Sequence, residues 1–250
     1  MTELQINIDE KTFANGTCAI RGLQFKAVAG QFTAIVGPSG AGKSTLLNII
    51  SGLDEDFKGT VEFASESTPR IGFMFQESRL LPWLTVQQNI ELVTQGLAEQ
   101  ERIEANNRIT QLLEHVGLQD FNHVFPRQLS IGMQRRVSLV RALVMQPDLL
   151  LMDEPFQSLD EPTAEQLREL LMDLWQETRA SVLFVTHNLR EALTLTDRVL
   201  FLSARPARVM LEYSVNLERP RLAHGDSLDR MHNELLNEHP ELLSGRINGK

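Results

Sequence analysis

The 250-residue chain is poor in cysteine and has no long apolar run. Its single cysteine, Cys18, excludes a disulfide within the chain and is typical of proteins in a reducing compartment. No apolar stretch reaches the ~18 to 20 residues that a bilayer-spanning helix needs. Residues 1–4 also lack the basic and apolar segments of a signal peptide. We therefore expect a cytosolic chain that needs a partner for any work at a membrane.

The charge balance is acidic, with 24 Lys and Arg against 33 Asp and Glu and a net charge of -9. This balance argues against a broad, non-specific nucleic-acid surface, although it is compatible with a local basic patch. Apolar residues make up 42% and charged residues 23%, as in ordinary globular proteins. At this length the chain can form one α/β domain or two small domains.

One stretch has the spacing G-x-x-x-x-G-K-[ST] of a phosphate-binding loop. Glycines free the backbone N–H groups to wrap an anion, the lysine adds a charge for the β- and γ-phosphates, and the following hydroxyl can ligate Mg²⁺. A predicted strand at residues 32–36 precedes the loop and a predicted helix follows it, so the phosphates would lie at a helix N-terminus. An incidental glycine-rich turn is the weaker alternative. The expected nucleotide-binding residues are Gly37, Pro38, Ser39, Gly40, Ala41, Gly42, Lys43, Ser44 and Thr45.

Two carboxylates, Asp153 and Glu154, follow the most apolar predicted strand, residues 149–152. Ligands bind at the carboxyl ends of strands in open α/β sheets. We therefore expect Asp153 to hold Mg²⁺ and Glu154 to orient or deprotonate a water for attack on the γ-phosphate. The alternative is an ordinary acidic exit from a strand.

Two more polar residues follow predicted strands. His187 comes after the strand at residues 182–186 and could contact the γ-phosphate, and Gln76 comes after the strand at 71–75 and could ligate Mg²⁺ or hold a water. A surface histidine and a solvated turn glutamine are the alternatives.

Residues 129–136, Leu-Ser-Ile-Gly-Met-Gln-Arg-Arg, open a second candidate anion site. Ser130 occupies an N-cap-like position, and with Gly132 it offers free N–H groups at a helix N-terminus. Residues 37–44 already bind the phosphates of the nucleotide held by this chain. We therefore expect the second donor set to contact the nucleotide held by another copy. The pattern thus predicts a composite site between two chains.

Apolar patterns set the architecture. Further strands are expected near the N-terminus, at residues 22–28, 60–63 and 199–202, whereas residues 81–144 show only helical periodicity. Strands that alternate with helices predict a mainly parallel sheet. A polar helix is expected near residues 227–236.

Taken together and in this order, these motifs resemble those of the nucleotide-binding subunits of ATP-binding cassette transporters, over about residues 3–215. Residues 129–133 match the family signature, usually written LSGGQ, Ser158-Leu159-Asp160 match the D-loop, and Phe13 falls where an aromatic stacks on adenine, although Phe is also a core residue. The resemblance implies an α/β P-loop NTPase core with an antiparallel β subdomain and an inserted helical subdomain at about residues 80–145. Residues 1–215 would form the ATPase domain and residues 216–250 a C-terminal extension.

The resemblance also implies ATP and Mg²⁺ as cofactors and a head-to-tail dimer, with a second copy or a paralogue, that closes over two ATP molecules. Membrane permease subunits would follow the motion, a periplasmic or extracellular solute-binding protein would take part indirectly, and no nucleic acid would be bound. The chain would lie on the cytoplasmic face of the inner membrane. Residues 77–90 would contact the permease, unless they are subdomain core.

Within the family, the chain looks most like the ATPases of nitrate, sulfonate and taurine importers. The departure from the family pattern that matters lies at the first glycine of the signature, which is Ile131 in this chain. If that position needs a positive φ, a β-branched residue is disfavoured. If it lies in the first helical turn, Ile131 fits but crowds the partner's γ-phosphate. We expect a slower or more weakly closing ATPase, or one that pairs with a non-identical subunit.

Three other functions agree less well with these motifs. An ABC ATPase without a permease, in nucleic-acid repair or translation, would carry coiled-coil insertions or two cassettes. A P-loop kinase or GTPase has no use for residues 129–133, and no Asn-Lys-x-Asp guanine reader is found. A degenerate structural cassette would not need Lys43, Asp153, Glu154 and His187, which are all present.

Overall fold

A computed structural model describes residues 3–64, 68–221 and 225–245. The chain forms two compact units, one of residues 1–69, 151–154 and 181–250 and the other of residues 70–150 and 155–180. In the described ranges the strands are β1 (Leu4–Thr12), β2 (Cys18–Ala27), β3 (Phe32–Val36), β4 (Lys58–Phe63), β5 (Ile71–Met74), β6 (Leu149–Asp153), β7 (Ser181–Thr186), β8 (Arg198–Leu202) and β9 (Val209–Ser214). The α-helices of the same ranges are α1 (Lys43–Ile50), α2 (Val86–Glu91), α3 (Glu99–His115), α4 (Ile131–Leu143), α5 (Glu161–Thr178), α6 (Leu189–Leu195) and α7 (Asp226–Glu238).

An antiparallel sheet with the order β2-β1-β4 begins the first unit. Along β1, Leu4, Ile6 and Ile8 are buried and alternate with more exposed residues. This period of two gives the sheet one core face, as the alternation in the sequence predicts. The sheet is the antiparallel β subdomain that the family resemblance implied.

The second sheet is mainly parallel and has the order β5-β6-β7-β3-β8-β9. Strand β3 pairs in parallel with β7 and β8, and β9 is antiparallel to β8. Every residue of β3, β6 and β7 is buried, because helices and loops cover both faces of a parallel sheet. The expected α/β fold is confirmed, and its carboxyl strand ends position the site described below.

The second unit is built mainly from α2 to α5. Apolar stripes that the sequence predicts are buried, including Ile109 and Leu113 of α3 and Val137 and Val140 of α4. Helices α2 and α5 begin at residues that satisfy free N–H groups, since Thr85 forms a capping box for α2 and Asp160 accepts from the Thr163 N–H at the start of α5.

Two elements were not predicted, α6 and β9. The polar helix expected near residues 227–236 is α7. It lies in the first unit, where Asp229 accepts a hydrogen bond from Arg190 of α6. None of the helices in the described ranges is long and apolar enough to cross a bilayer.

Candidate active site

The phosphate-binding loop joins the buried strand β3 to α1. Gly40 and Gly42 have φ of +75° and +104°, a region that only glycine adopts at low cost. Gly37 does not have a positive φ, and its lack of a Cβ is what its position requires. A Cβ at Gly37 would lie 3.2 Å from the Cβ and carbonyl oxygen of Leu202, so this glycine permits a close approach to β8. The loop therefore ends on the N-terminus of α1, where N–H groups favour an anion.

Lys43, the first residue of α1, is buried beneath this loop. Its Nζ donates to the carbonyl oxygens of Gly37 at 2.9 Å and Pro38 at 3.1 Å. Burial lowers the pKa of the Lys43 ammonium, and the charges of Glu154 and Asp153 partly oppose that shift. The loop thus folds around a desolvated cation, which suits a phosphate ligand.

Glu154 lies between Lys43 and His187. One carboxylate oxygen is 3.8 Å from the Lys43 Nζ, and the other is 3.0 Å from Nδ1 of His187. The Glu154 backbone has φ of +44°, and its N–H donates to the carbonyl of Val185 in β7 at 3.0 Å. A non-glycine residue with positive φ is uncommon and is concentrated at functional sites. The structure therefore brings together the expected water-activating carboxylate, the phosphate lysine and the rim histidine.

The carboxylate of Asp153 and the hydroxyl of Ser44 are hard oxygen donors in the same unit. Asp153 is buried at the end of β6 and acts electrostatically on Lys43, while Ser44 is exposed in the first turn of α1. No group of three or more His, Cys, Asp or Glu residues forms a metal cage in the described ranges. Mg²⁺ takes one or two protein ligands and completes its shell with phosphates and water, so this donor set fits Mg²⁺ bound with a nucleotide.

Phe13 lies at the surface, with 37% of its area exposed, and is not a core residue. It follows β1, and the Nζ of Lys11 lies 5.3 Å from the ring centroid. Lys11 is itself fixed by Asp54 at 2.7 Å and by the Asp56 carbonyl at 2.6 Å. The ring is accessible for stacking on a base, as expected for an adenine contact.

Gln76 belongs to the second unit, where its amide donates to the side chain of Gln157. Arg135 of α4 donates to the carbonyls of Phe75 at 3.1 Å and Gln157 at 3.5 Å. These contacts, which the sequence analysis missed, connect the segment after β5 with the segment after β6. The expected magnesium or water contact of Gln76 stays a prediction.

The signature segment opens α4. The Ser130 Oγ accepts from the Met133 N–H at 3.2 Å as an N-cap. Ile131 is the first helical residue, has no positive φ, and exposes 57% of its surface. Backbone strain at Ile131 is therefore excluded, and the alternative in which its side chain projects from the first turn holds.

Gly132 is buried, and the side chain of Thr163 occupies the space that a Cβ would need. A Cβ at Gly132 would lie only 2.5 Å from Cγ2 of Thr163 in α5. Thr163 is locked by Asp160, which accepts from the Thr163 hydroxyl at 2.8 Å and from its N–H at 3.2 Å. Those hydrogen bonds lower the pKa of Asp160. Asp160 thus holds the side chain that packs against Gly132 within the second unit.

These features define a P-loop nucleotide-binding site, and comparison with known proteins gives the family of the chain. The family model described as ABC transporter matches residues 20–157. The chain is 40% identical over 235 residues to the aliphatic sulfonates import ATP-binding protein SsuB 2 of Pseudomonas syringae pv. tomato, covering 94% of this chain and 97% of the relative. It is 36% identical over 253 residues to SsuB of Bacillus thuringiensis subsp. konkukian, covering 98% and 99%.

Solved structures agree. The dimeric structure of MJ0796, a bacterial ABC transporter cassette, matches with a TM-score of 0.72 at 30% identity and covers 86% of this chain and 100% of that one. The post-hydrolysis dimer of the same cassette, bound to ADP and Pi, matches with a TM-score of 0.71 at 30% identity, over 87% and 100%. The chain belongs to the ABC transporter family and is an ATPase of that family.

Proposed function

We propose that the chain is the ATP-hydrolysing subunit of an importer for small organic sulfonates. The observation that carries the catalytic part is the position of the Glu154 carboxylate between Lys43 and His187. The solute is supported by the relatives, which are named as aliphatic sulfonate import proteins. Nitrate and taurine are the other solutes that the sequence resemblance suggested.

In this proposal Glu154 orients or deprotonates the attacking water. Its carboxylate is 13% exposed, so it is largely removed from bulk water and still reachable from the rim. His187 holds one carboxylate oxygen and can contact the γ-phosphate, while Lys43 exchanges its bonds to the loop carbonyls for bonds to phosphate oxygens. A positioned general base contributes about 10²- to 10⁴-fold to such a reaction.

Mg²⁺ would be held by Ser44 and Asp153 of the first unit. The ion would supply charge neutralisation of the β- and γ-phosphates. Phe13 would stack on the adenine, and residues 37–45 would cradle the phosphates.

The active unit is proposed to be a head-to-tail dimer, of two copies or of a copy and a paralogue. At the N-terminus of α4, Ser130 and Ile131 are exposed, and the buried Gly132 follows them. These residues would contact the nucleotide bound to the phosphate loop of the other subunit. The dimeric form of the similar MJ0796 cassette supports this assembly.

Transmembrane permease subunits are the proposed partners on the cytoplasmic face of the membrane, with a solute-binding protein acting indirectly on the far side. Within residues 77–90, Trp83 is 68% exposed and Leu80, Leu81 and Leu84 are half-buried. An exposed tryptophan with an apolar surround suits a protein contact better than a subdomain core.

Growth of a deletion strain tests the solute. Loss of growth with an alkanesulfonate as sole sulfur source, but not with sulfate, is expected, and the wild-type gene should restore it whereas Lys43→Ala should not. Loss of growth with nitrate as the nitrogen source only would contradict the sulfonate assignment. Loss of growth with taurine only would restrict the solute to aminosulfonates, because taurine is itself a small sulfonate. Unchanged growth on all of them would contradict the importer itself for this solute class.

A further inference from the structure

The turn between β8 and β9, residues 203–208 and here called the hairpin turn, reaches the phosphate loop. Arg205 donates to the carbonyl oxygen of Gly40 from Nε at 3.0 Å and from Nη2 at 2.7 Å. A planar guanidinium with two donors on one acceptor fixes the direction of that acceptor as well as its distance. Arg205 therefore restrains the middle of the loop at the glycine that adopts φ of +75°.

The hairpin turn is itself rigid. The buried Ser203 donates from its N–H to the Arg208 carbonyl at 2.9 Å, and its Oγ accepts from the Arg208 N–H at 3.0 Å. Ala207 ties the turn to β2, since its N–H donates to the Ala19 carbonyl at 2.8 Å and its carbonyl accepts from the Arg21 N–H at 3.2 Å. The backbone that carries the Arg205 side chain is thus fixed by hydrogen bonds on both sides of this residue.

The C-terminal segment, residues 241–245, contacts both the hairpin turn and the phosphate loop. The Gly245 carbonyl accepts from the Ala204 N–H at 2.7 Å. Gly245 has φ of +63°, and a Cβ there would lie 2.8 Å from Cγ of Pro38 and would collide with the Ala204 nitrogen. Leu242 is buried and anchors the segment. Only glycine fits at position 245, between Ala204, which precedes Arg205, and Pro38 of the phosphate loop.

We propose that Arg205 is a positioning residue for the phosphate loop and that the C-terminal segment holds the hairpin turn in place for this purpose. The inference rests on ATP binding at residues 37–45, on which the proposed function also depends. A loop held in its binding conformation loses less freedom when a nucleotide arrives. Arg205 acts on a backbone carbonyl, so it strengthens binding of ATP and ADP alike.

Nucleotide titration of the full-length chain tests this role. Arg205→Ala should raise the Kd of both ATP and ADP by about fivefold, the loss expected for a charge-assisted hydrogen-bond pair at a partly exposed site. Arg205→Lys should have Kd values between those of the wild type and Arg205→Ala, because one donor group remains. Arg208→Ala is the matched control, since Arg208 is exposed on the same turn and, among the described residues, forms hydrogen bonds there through its backbone alone.

Steady-state kinetics give a second readout. Arg205→Ala should raise KM for ATP while kcat stays within about twofold, as for a change in ground-state and transition-state binding alike. A loss for ATP with ADP unchanged would indicate a direct γ-phosphate contact and would overturn the positioning role. Equal Kd values for Arg205→Ala and Arg208→Ala in a chain that binds ATP would overturn this inference alone, whereas a wild-type chain that binds no ATP would overturn the proposed function.

Gly245→Ala tests the C-terminal segment. It should raise the Kd of both nucleotides in the wild-type background and add nothing in the Arg205→Ala background, because both changes release the same restraint. Fully additive losses in the double variant, or no loss in the single one, would contradict a role of this segment through Arg205.

Discussion

Replacing Gly132 by alanine tests how the signature helix is packed. The added Cβ would lie 2.5 Å from Thr163 Cγ2, and Thr163 cannot turn away without breaking its 2.8 Å hydrogen bond to Asp160. Overpacking of this kind costs about 1 to 3 kcal/mol. Alanine in place of glycine in a helix returns about 0.5 to 1 kcal/mol. We expect Gly132→Ala to lower the free energy of unfolding of the second unit by about 0.5 to 2 kcal/mol.

Thr163→Ser is the substitution that should compensate for Gly132→Ala, because it removes Cγ2 and keeps the hydroxyl that donates to Asp160, the N-cap of α5. Alone it should cost at most ~0.8 kcal/mol, the value of one buried methyl group. Combined with Gly132→Ala it should relieve the collision, giving a coupling energy of about 1 to 3 kcal/mol in a double-mutant cycle.

Urea unfolding followed by tryptophan fluorescence is the assay. Both tryptophans of the chain, Trp83 and Trp175, belong to the second unit, and Trp175 is buried in α5. The signal therefore reports on the unit that contains the substitutions. Additive effects of the two changes, with coupling below ~0.5 kcal/mol, would refute the packing argument, since that is the usual scatter for independent sites.

Three further predictions concern the phosphate lysine, the unusual signature residue and the single tyrosine. Lys43→Met should abolish the stabilisation of the chain by nucleotide, which for the wild type amounts to about 2.7 kcal/mol at a hundredfold excess of ATP over Kd. If the thermal midpoint of the Lys43→Met variant still rises with ATP, the assigned site is contradicted. Ile131→Gly should raise ATP turnover, because the Ile131 side chain projects from the first turn of α4, and it should cost about 0.5 kcal/mol of helix stability. An unchanged kcat would contradict the crowding hypothesis. Ile131→Ala, which has a smaller side chain, serves as the control. The pKa of Tyr213 is raised by burial and by Glu234 and Glu238 of α7, so the midpoint of its absorbance titration should lie above the usual tyrosine value and should move down in Glu234→Gln. Stability should fall as pH rises above the unfolded pKa of ~10. An unshifted midpoint would contradict the electrostatic effect of Glu234 and Glu238 on Tyr213.

The phosphate loop and the strand-end residues were predictable because their signals are local. Nine consecutive residues specify the loop, and Asp153, Glu154 and His187 each follow an apolar run that is unmistakably a buried strand. The parallel arrangement then brings their strand ends to one rim. Sequence alone could not give φ of +44° at Glu154 or its two partners, which depend on neighbouring strands.

Elements with weak local signals were missed. Strand β9 is half-exposed and lies at the sheet edge, so it lacks the apolar run of a central strand. Helix α6 has only seven residues, although Asn188 caps it by accepting from the N–H groups of Arg190 and Glu191. Both are held by tertiary packing more than by propensity.

Long-range contacts could not be predicted at all. Arg205 and Gly40 are 165 residues apart, and no local pattern around either residue indicates the other. Gly132 was expected to be a phosphate donor, but its packing against Thr163 needed the helix pair. Such contacts are fixed by the tertiary fold, which no single segment specifies.

Mg²⁺-dependent ATP hydrolysis and ATP-induced dimerisation of the wild type and Glu154→Gln test the central claim most directly. The wild type should hydrolyse ATP, and the variant should bind ATP, accumulate as a dimer and lose about 10²- to 10⁴-fold in turnover. That result would establish Glu154 as the catalytic carboxylate of a composite site. A wild-type chain that binds ATP but neither dimerises nor hydrolyses it, or a Glu154→Gln variant with wild-type turnover, would contradict the account.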